Sequence, residues 1–251
     1  MSVLQLRRVL AYFFLASYLV ILAITRDSLD LVAAQESGAL ALMFAATVWL
    51  TYGVIYLAPA MFLTWVAERV LHSGRMTGRA TVLYPLVVGV TAATSLFFHA
   101  NAKLFSLYGI FINSFVVNLV TTPGGIESLG ASEASNRTFV AIAAGFLLFQ
   151  AALLAAVHFL YRTHGEPRWV PRGLFKGLLI AFLFATATER MAYAYATVKG
   201  MGSIALLTQK VPYYLPLSAR GLLGRLGIKV KPGKSFKPSE GTLKYPLNVL
   251  D

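Results

Sequence analysis

Side chains able to do chemistry are few in this sequence, and their spacing is wrong for catalysis. Four histidines (His72, His99, His158 and His164) are scattered along the chain with no ligand spacing between them, so no metal site is assigned. There is no cysteine, which removes thiolate and disulfide chemistry. The carboxylates Glu127, Glu133 and Glu189 form no pair at a recognisable acid–base distance. Ser128 sits in Gly-x-x-Ser-x-Gly, which is not the nucleophile-elbow spacing, and no His/Asp pair supports it. No catalytic residue and no cofactor is assigned to the chain.

Three groups of residues invite a ligand or a buried charge. The first is Thr121-Thr122-Pro123-Gly124-Gly125-Ile126-Glu127-Ser128-Leu129-Gly130. Pro followed by Gly suits a type II turn, in which only Gly adopts positive φ cheaply. The same two glycines would let backbone N–H groups close around a phosphate; an ordinary turn between helices is the plainer alternative. Asn113 and Asn118, just before this loop, help shape the same surface. The second group is Arg220 and Arg225, followed by Lys229 and Lys231 with no acid before Glu240. Two arginines on a short amphipathic turn beside a membrane suit anionic headgroups. For the lysines that follow, a solvated basic linker is the alternative. The third group is Glu189-Arg190, inside an otherwise apolar run. Ionisable groups at membrane depth mark function by default. Glu189 is expected either in the bundle interior beside a cation or in a headgroup layer. Adjacent helix positions face different ways, so Arg190 is not required as that cation.

The elements that must carry these residues are membrane helices. Hydrophobic residues make up 57% of the 251 positions, and 22 basic residues face ten acidic ones for a net charge of +12. A water-soluble fold this apolar would expose an aggregating surface. The basic excess favours anionic phospholipid or lipid A headgroups as partners, with room for a membrane-protein partner. Nucleic acid is not expected, because the basic residues lie in loops and a tail beside apolar runs. An all-α fold with five spans is expected, at about 9–25, 39–67, 80–99, 139–161 and 174–196. Residues 104–120 are short for a span and interrupted by Ser106, Asn113, Ser114 and Asn118. They read as an interfacial or re-entrant helix, with a sixth span as the alternative. The transmembrane domain then covers 1–198 and a basic linker covers 199–251. Arg69, Arg75 and Arg79, and later Arg162, Arg168, Arg172 and Lys176, fall on one side of this arrangement. By the positive-inside rule, the N-terminus is cytoplasmic and the tail is periplasmic.

The stretch Leu107-Tyr108-Gly109-Ile110-Phe111-Ile112-Asn113-Ser114-Phe115-Val116-Val117-Asn118-Leu119, with the loop 121–130, resembles the membrane domain of sulfatase-like inner-membrane proteins. These belong to the alkaline phosphatase superfamily and include PbgA/YejM-type proteins and relatives of lipoteichoic acid synthase. Lys244-Tyr245-Pro246-Leu247 is similar to the junction before their globular domain. The resemblance implies a bacterial inner-membrane anchor with a metal-dependent sulfatase-like domain beyond Asp251. None of that catalytic machinery is expected within these residues. It also implies acidic-lipid contact, to cardiolipin or lipopolysaccharide, by the basic region holding Arg220 and Arg225, and a part in envelope lipid balance. Two other classes stay open on the residues: a stand-alone enzyme moving a phospho-headgroup on lipid-linked substrates, and a small transporter.

Overall fold

The structure, a computed structural model, describes residues 3–29, 31–71, 79–125, 133–165 and 173–217. Every regular element among them is helical. The five long helices are α1 (Val3–Ile24), α3 (Ala39–Val70), α4 (Arg79–Tyr108), α6 (Glu133–His164) and α7 (Leu174–Lys199). The short ones are α2 (Leu31–Glu36), α5 (Ser114–Thr121) and α8 (Gly202–Thr208). Helices satisfy their backbone groups internally, which is what long apolar segments need away from water. Four of them, α1, α3, α4 and α6, are long and apolar enough to cross a membrane. Helix α7 has the length but not the apolarity, because Lys176, Glu189 and Arg190 lie within it.

Helix α1 packs against α3, α4 and α6, while α7 packs against α3. One core gathers Val9 and Phe13 of α1 with Leu83 and Val87 of α4 and Leu154 of α6. A second joins Ile21, Phe44, Val48, Tyr52 and Phe98 to Ala196, Ile204 and Val211. Between α1 and α3 the approach is close. A Cβ on Gly53 would lie 2.8 Å from both Leu22 Cδ2 and Tyr18 Cε2, so any larger residue requires those two side chains to move. Polar cross-links add register. Gln150 of α6 is fully buried, accepts from Ser17 Oγ at 3.2 Å and donates to Ser95 Oγ at 3.1 Å. In a membrane such bonds contribute on average about 0.6 kcal/mol each, so they choose the packing partner more than they hold the bundle together. The outward faces are strongly apolar. Only 11% of the most apolar stretch of α6 is buried, and Leu148, Phe159, Ile180 and Phe184 are exposed. Lipid chains, not water, are the fitting solvent for that surface.

The expected spans are met in part. Four of the five coincide with helices that have the length and apolarity of a span, and α7 covers the fifth without meeting both. The interfacial helix expected over 104–120 is not one element. Helix α4 continues to Tyr108, Gly109 takes a left-handed φ of +68°, and α5 begins only at Ser114. Asn113 explains the restart: its side chain accepts from Val116 N at 3.1 Å, a standard N-cap bond. Gly200 ends α7 at φ +73°, and α8 starts afresh at Gly202.

Candidate functional site

The most connected polar site is built where the chain folds back after α8. Residues 211–217 form a strap lying among α3, α4 and α7. Val211 and Pro212 are buried. Tyr56 OH of α3 donates to Pro212 O at 2.7 Å, and Leu215 N donates to Tyr52 OH at 2.9 Å. Tyr214 OH donates to Glu189 Oε2 at 3.0 Å. Three points on the strap are thus fixed to two helices, and the strap's own turn is closed by Tyr214 N donating to Val211 O at 3.3 Å.

Glu189 of α7 is 1% exposed. Arg190 Nε lies 2.9 Å from its Oε1, an ion pair whose N–H does not point at that oxygen. Arg190 Nη2 donates instead to Tyr52 OH at 2.8 Å, and the guanidinium sits 5.6 Å over the Tyr52 ring and 5.2 Å over the Tyr214 ring. Arg190 is therefore the cation for Glu189 after all. Adjacent helix positions do face different ways, but the arginine side chain is long enough to fold back beside the paired Tyr52 and Tyr214 rings. Burial, then the neighbouring Glu189 carboxylate, holds the Tyr214 phenol above its ordinary pKa, so it stays a donor at neutral pH.

Tyr213 makes a fourth attachment, to the last turns of α4 and the segment before α5. Its OH donates to Ile112 O at 2.8 Å and accepts from Asn101 Nδ2 at 3.1 Å. Asn101, fully buried, uses its Oδ1 to accept from Ile112 N at 2.8 Å. One side-chain amide and one phenol thus satisfy both backbone groups of Ile112. Tyr213 holds a φ of +55°, which non-glycine residues adopt only when their surroundings compel it. The Phe97 ring stacks on it with centroids 6.0 Å apart.

The strap thereby links two groups singled out in the sequence, Glu189-Arg190 and the start of α5 at Asn113. The turn at 122–125 lies at the other end of α5. Gly125 N donates to Thr122 O at 3.0 Å and Gly124 has φ +78°, the geometry of a type II turn with Pro123 in its second position. A Cβ on Gly125 would meet Leu119 O at 2.0 Å, so the second glycine is needed for close packing against α5. Gly125 N is therefore engaged by the turn and is not held out for a phosphate. Asn118 serves the same turn: its carbonyl accepts from Thr122 N at 2.9 Å. Glu127, Arg220, Arg225, Lys229 and Lys231 lie outside the described residues.

No family model, no curated protein and no solved structure matches this chain. The site must be read on its own geometry. Among the described residues, no three His, Asp or Glu side chains gather as metal ligands. Sequence reasoning found Glu189 and Arg190 but missed Tyr52, Tyr56 and Asn101. Their signal was present: each is a polar side chain inside an apolar helix, where a hydrogen-bond partner is compulsory. What a single sequence could not supply was the partner, since the strap that pairs with Tyr52 lies far along the chain.

Proposed function

We propose that this chain is the membrane-anchoring, acidic-lipid-binding part of a sulfatase-like envelope protein in a bacterial inner membrane. In this reading α7 crosses as a fifth span, the N-terminus is cytoplasmic, and α5 with the 122–125 turn lies in the outer interface. The exposed Phe115, Val117 and Val120 of α5 suit that layer, since α5 has no buried residue of its own. The observation that carries the reading is the strap. It fixes residues 211–215 against the bundle, so the chain leaves it from a set point at Leu217, three residues before Arg220. Arg220 and Arg225, followed in sequence by Lys229 and Lys231, are the basic groups this reading assigns to headgroup contact. Anionic phospholipid or lipid A is the matching partner, because each basic residue near an anionic leaflet contributes roughly 1 kcal/mol.

The test is lipid analysis of the purified full chain. Replacing Arg220 and Arg225 together by Ala removes about 2 kcal/mol of headgroup attraction, a factor of about 30 in binding. Co-purifying acidic lipid, measured by mass spectrometry, should fall accordingly while neutral lipid stays constant. Equal acidic lipid in both preparations overturns the reading.

A further inference from the structure

We infer that the strap at 211–217 is a coupling device, which transmits the position of the chain leaving at Leu217 to the α4–α5 turn. The inference extends the lipid-binding reading, whose basic residues follow the strap, but it rests on different atoms. Two attachments of opposite character sit on adjacent residues. Tyr214 reaches Glu189 and lies against Arg190 on the α7 side. Tyr213 reaches Asn101 and Ile112 on the α4–α5 side. The left-handed φ at Tyr213 belongs to a turn with Pro212 and Tyr213 at its corners, closed by Tyr214 N donating to Val211 O at 3.3 Å, and the two attachments leave from this one turn. The cost of a positive φ at a tyrosine is met by the turn's own bond and the two attachments together, so losing one attachment weakens the turn that aims the other, which is how a latch and not a passive linker behaves. Helix α5 has the freedom to respond: no residue in it is buried. The backbone groups of Ile112, immediately before its N-cap, are held by Asn101 and Tyr213 alone among the described side-chain bonds.

Ile112 N–H is thus a reporter for the latch. The full chain, in nanodiscs of neutral phosphatidylcholine, would be followed by hydrogen–deuterium exchange as native protein, Tyr213→Phe and Tyr214→Phe. Tyr213→Phe removes a direct bond to Ile112 and should speed exchange in the peptide spanning 109–117. The deciding variant is Tyr214→Phe, which removes only the bond to Glu189. Coupling requires that it too speed exchange at 109–117, by roughly fivefold, the factor for one lost hydrogen bond that opens a segment locally. Exchange in the α1 and α6 cores should stay unchanged in both variants, which separates local release from unfolding. A second readout uses the absence of native cysteine: a spin label on Phe115→Cys should become more mobile in the Tyr214→Phe background. If Tyr214→Phe leaves both the 109–117 exchange and the label unchanged, the strap does not transmit and the inference fails. If core exchange rises equally, the effect is global and the inference fails as well. Because no acidic lipid is present, these outcomes are independent of headgroup binding.

Discussion

Glu189 and Arg190 show how little a residue's identity says without its partner. A carboxylate in an apolar helix could bind protons, ions or substrate; here its oxygens face Arg190 and Tyr214, and its role is to hold the strap. Removing one member of a buried ion pair is worse than removing both, because the survivor is left uncompensated. Arg190→Leu should therefore destabilise the protein by about 3 kcal/mol or more, with Glu189 stranded at 1% exposure. Glu189→Gln keeps an acceptor for Tyr214 and leaves Arg190, which is partly exposed, its bond to Tyr52. It should cost clearly less. Thermal unfolding in detergent ranks the two, and the opposite order would mean that the carboxylate charge itself is the stabilising feature. The sequence showed both residues and their shared depth. It hid the pairing, since that depended on how a long side chain folds over Tyr52 and Tyr214.

At the level of elements, helix identity was legible and helix ends were not. The apolar runs of α1, α3, α4 and α6 announced themselves because lipid-soluble segments must be long and uninterrupted. The break at Gly109–Asn113 was less visible, because it turns on one left-handed glycine and one N-cap within a run that stays apolar. The strap was not legible at all: Pro212-Tyr213-Tyr214 reads as interfacial, and only the tertiary bonds to Tyr52, Tyr56 and Asn101 draw it inward. Packing of α1 on α3 gives a prediction at this scale. Tyr18 and Leu22 press on Gly53, so Gly53→Ala displaces those two side chains at the α1–α3 contact, and overpacking of this kind costs about 1–3 kcal/mol. Gly145 on α6 is a matched control, since a Cβ there meets nothing within 4 Å. Gly145→Ala should leave the melting temperature unchanged or raise it slightly through better helix propensity. Equal effects at the two sites would show that the α1–α3 contact is looser than its geometry implies.

For the whole molecule, packing and charge fix different things. Packing fixes which ends lie together. Arg7 of α1 pairs with Glu68 at the far end of α3, and Phe44 near the start of α3 meets Tyr193 near the end of α7, so α3 runs opposite to both. Helix α8 then rests on α2 and α3. Ser37, before α3, and Leu217, at the end of the strap, must therefore share a side of any membrane the bundle crosses, while His164 at the end of α6 lies on the other. Charge chooses which side is which. Arg162, Arg168, Arg172 and Lys176 cluster around the α6–α7 connection, and positive loops stay in the cytoplasm. Single cysteines introduced into this cysteine-free chain at Ser37, His164 and Leu217 would separate the two statements. In intact cells whose outer barrier has been opened, an impermeant maleimide should label positions 37 and 217 directly and position 164 only after the membrane is permeabilised. If 37 and 217 behave alike but inverted relative to 164, the packing stands and the charge argument for orientation fails. If 217 labels with 164, then α7 does not cross, and the strap cannot lie against Tyr52 while the chain is in its membrane. Because the lipid-contact reading places Arg220 and Arg225 just past the strap, that last result would remove its footing too.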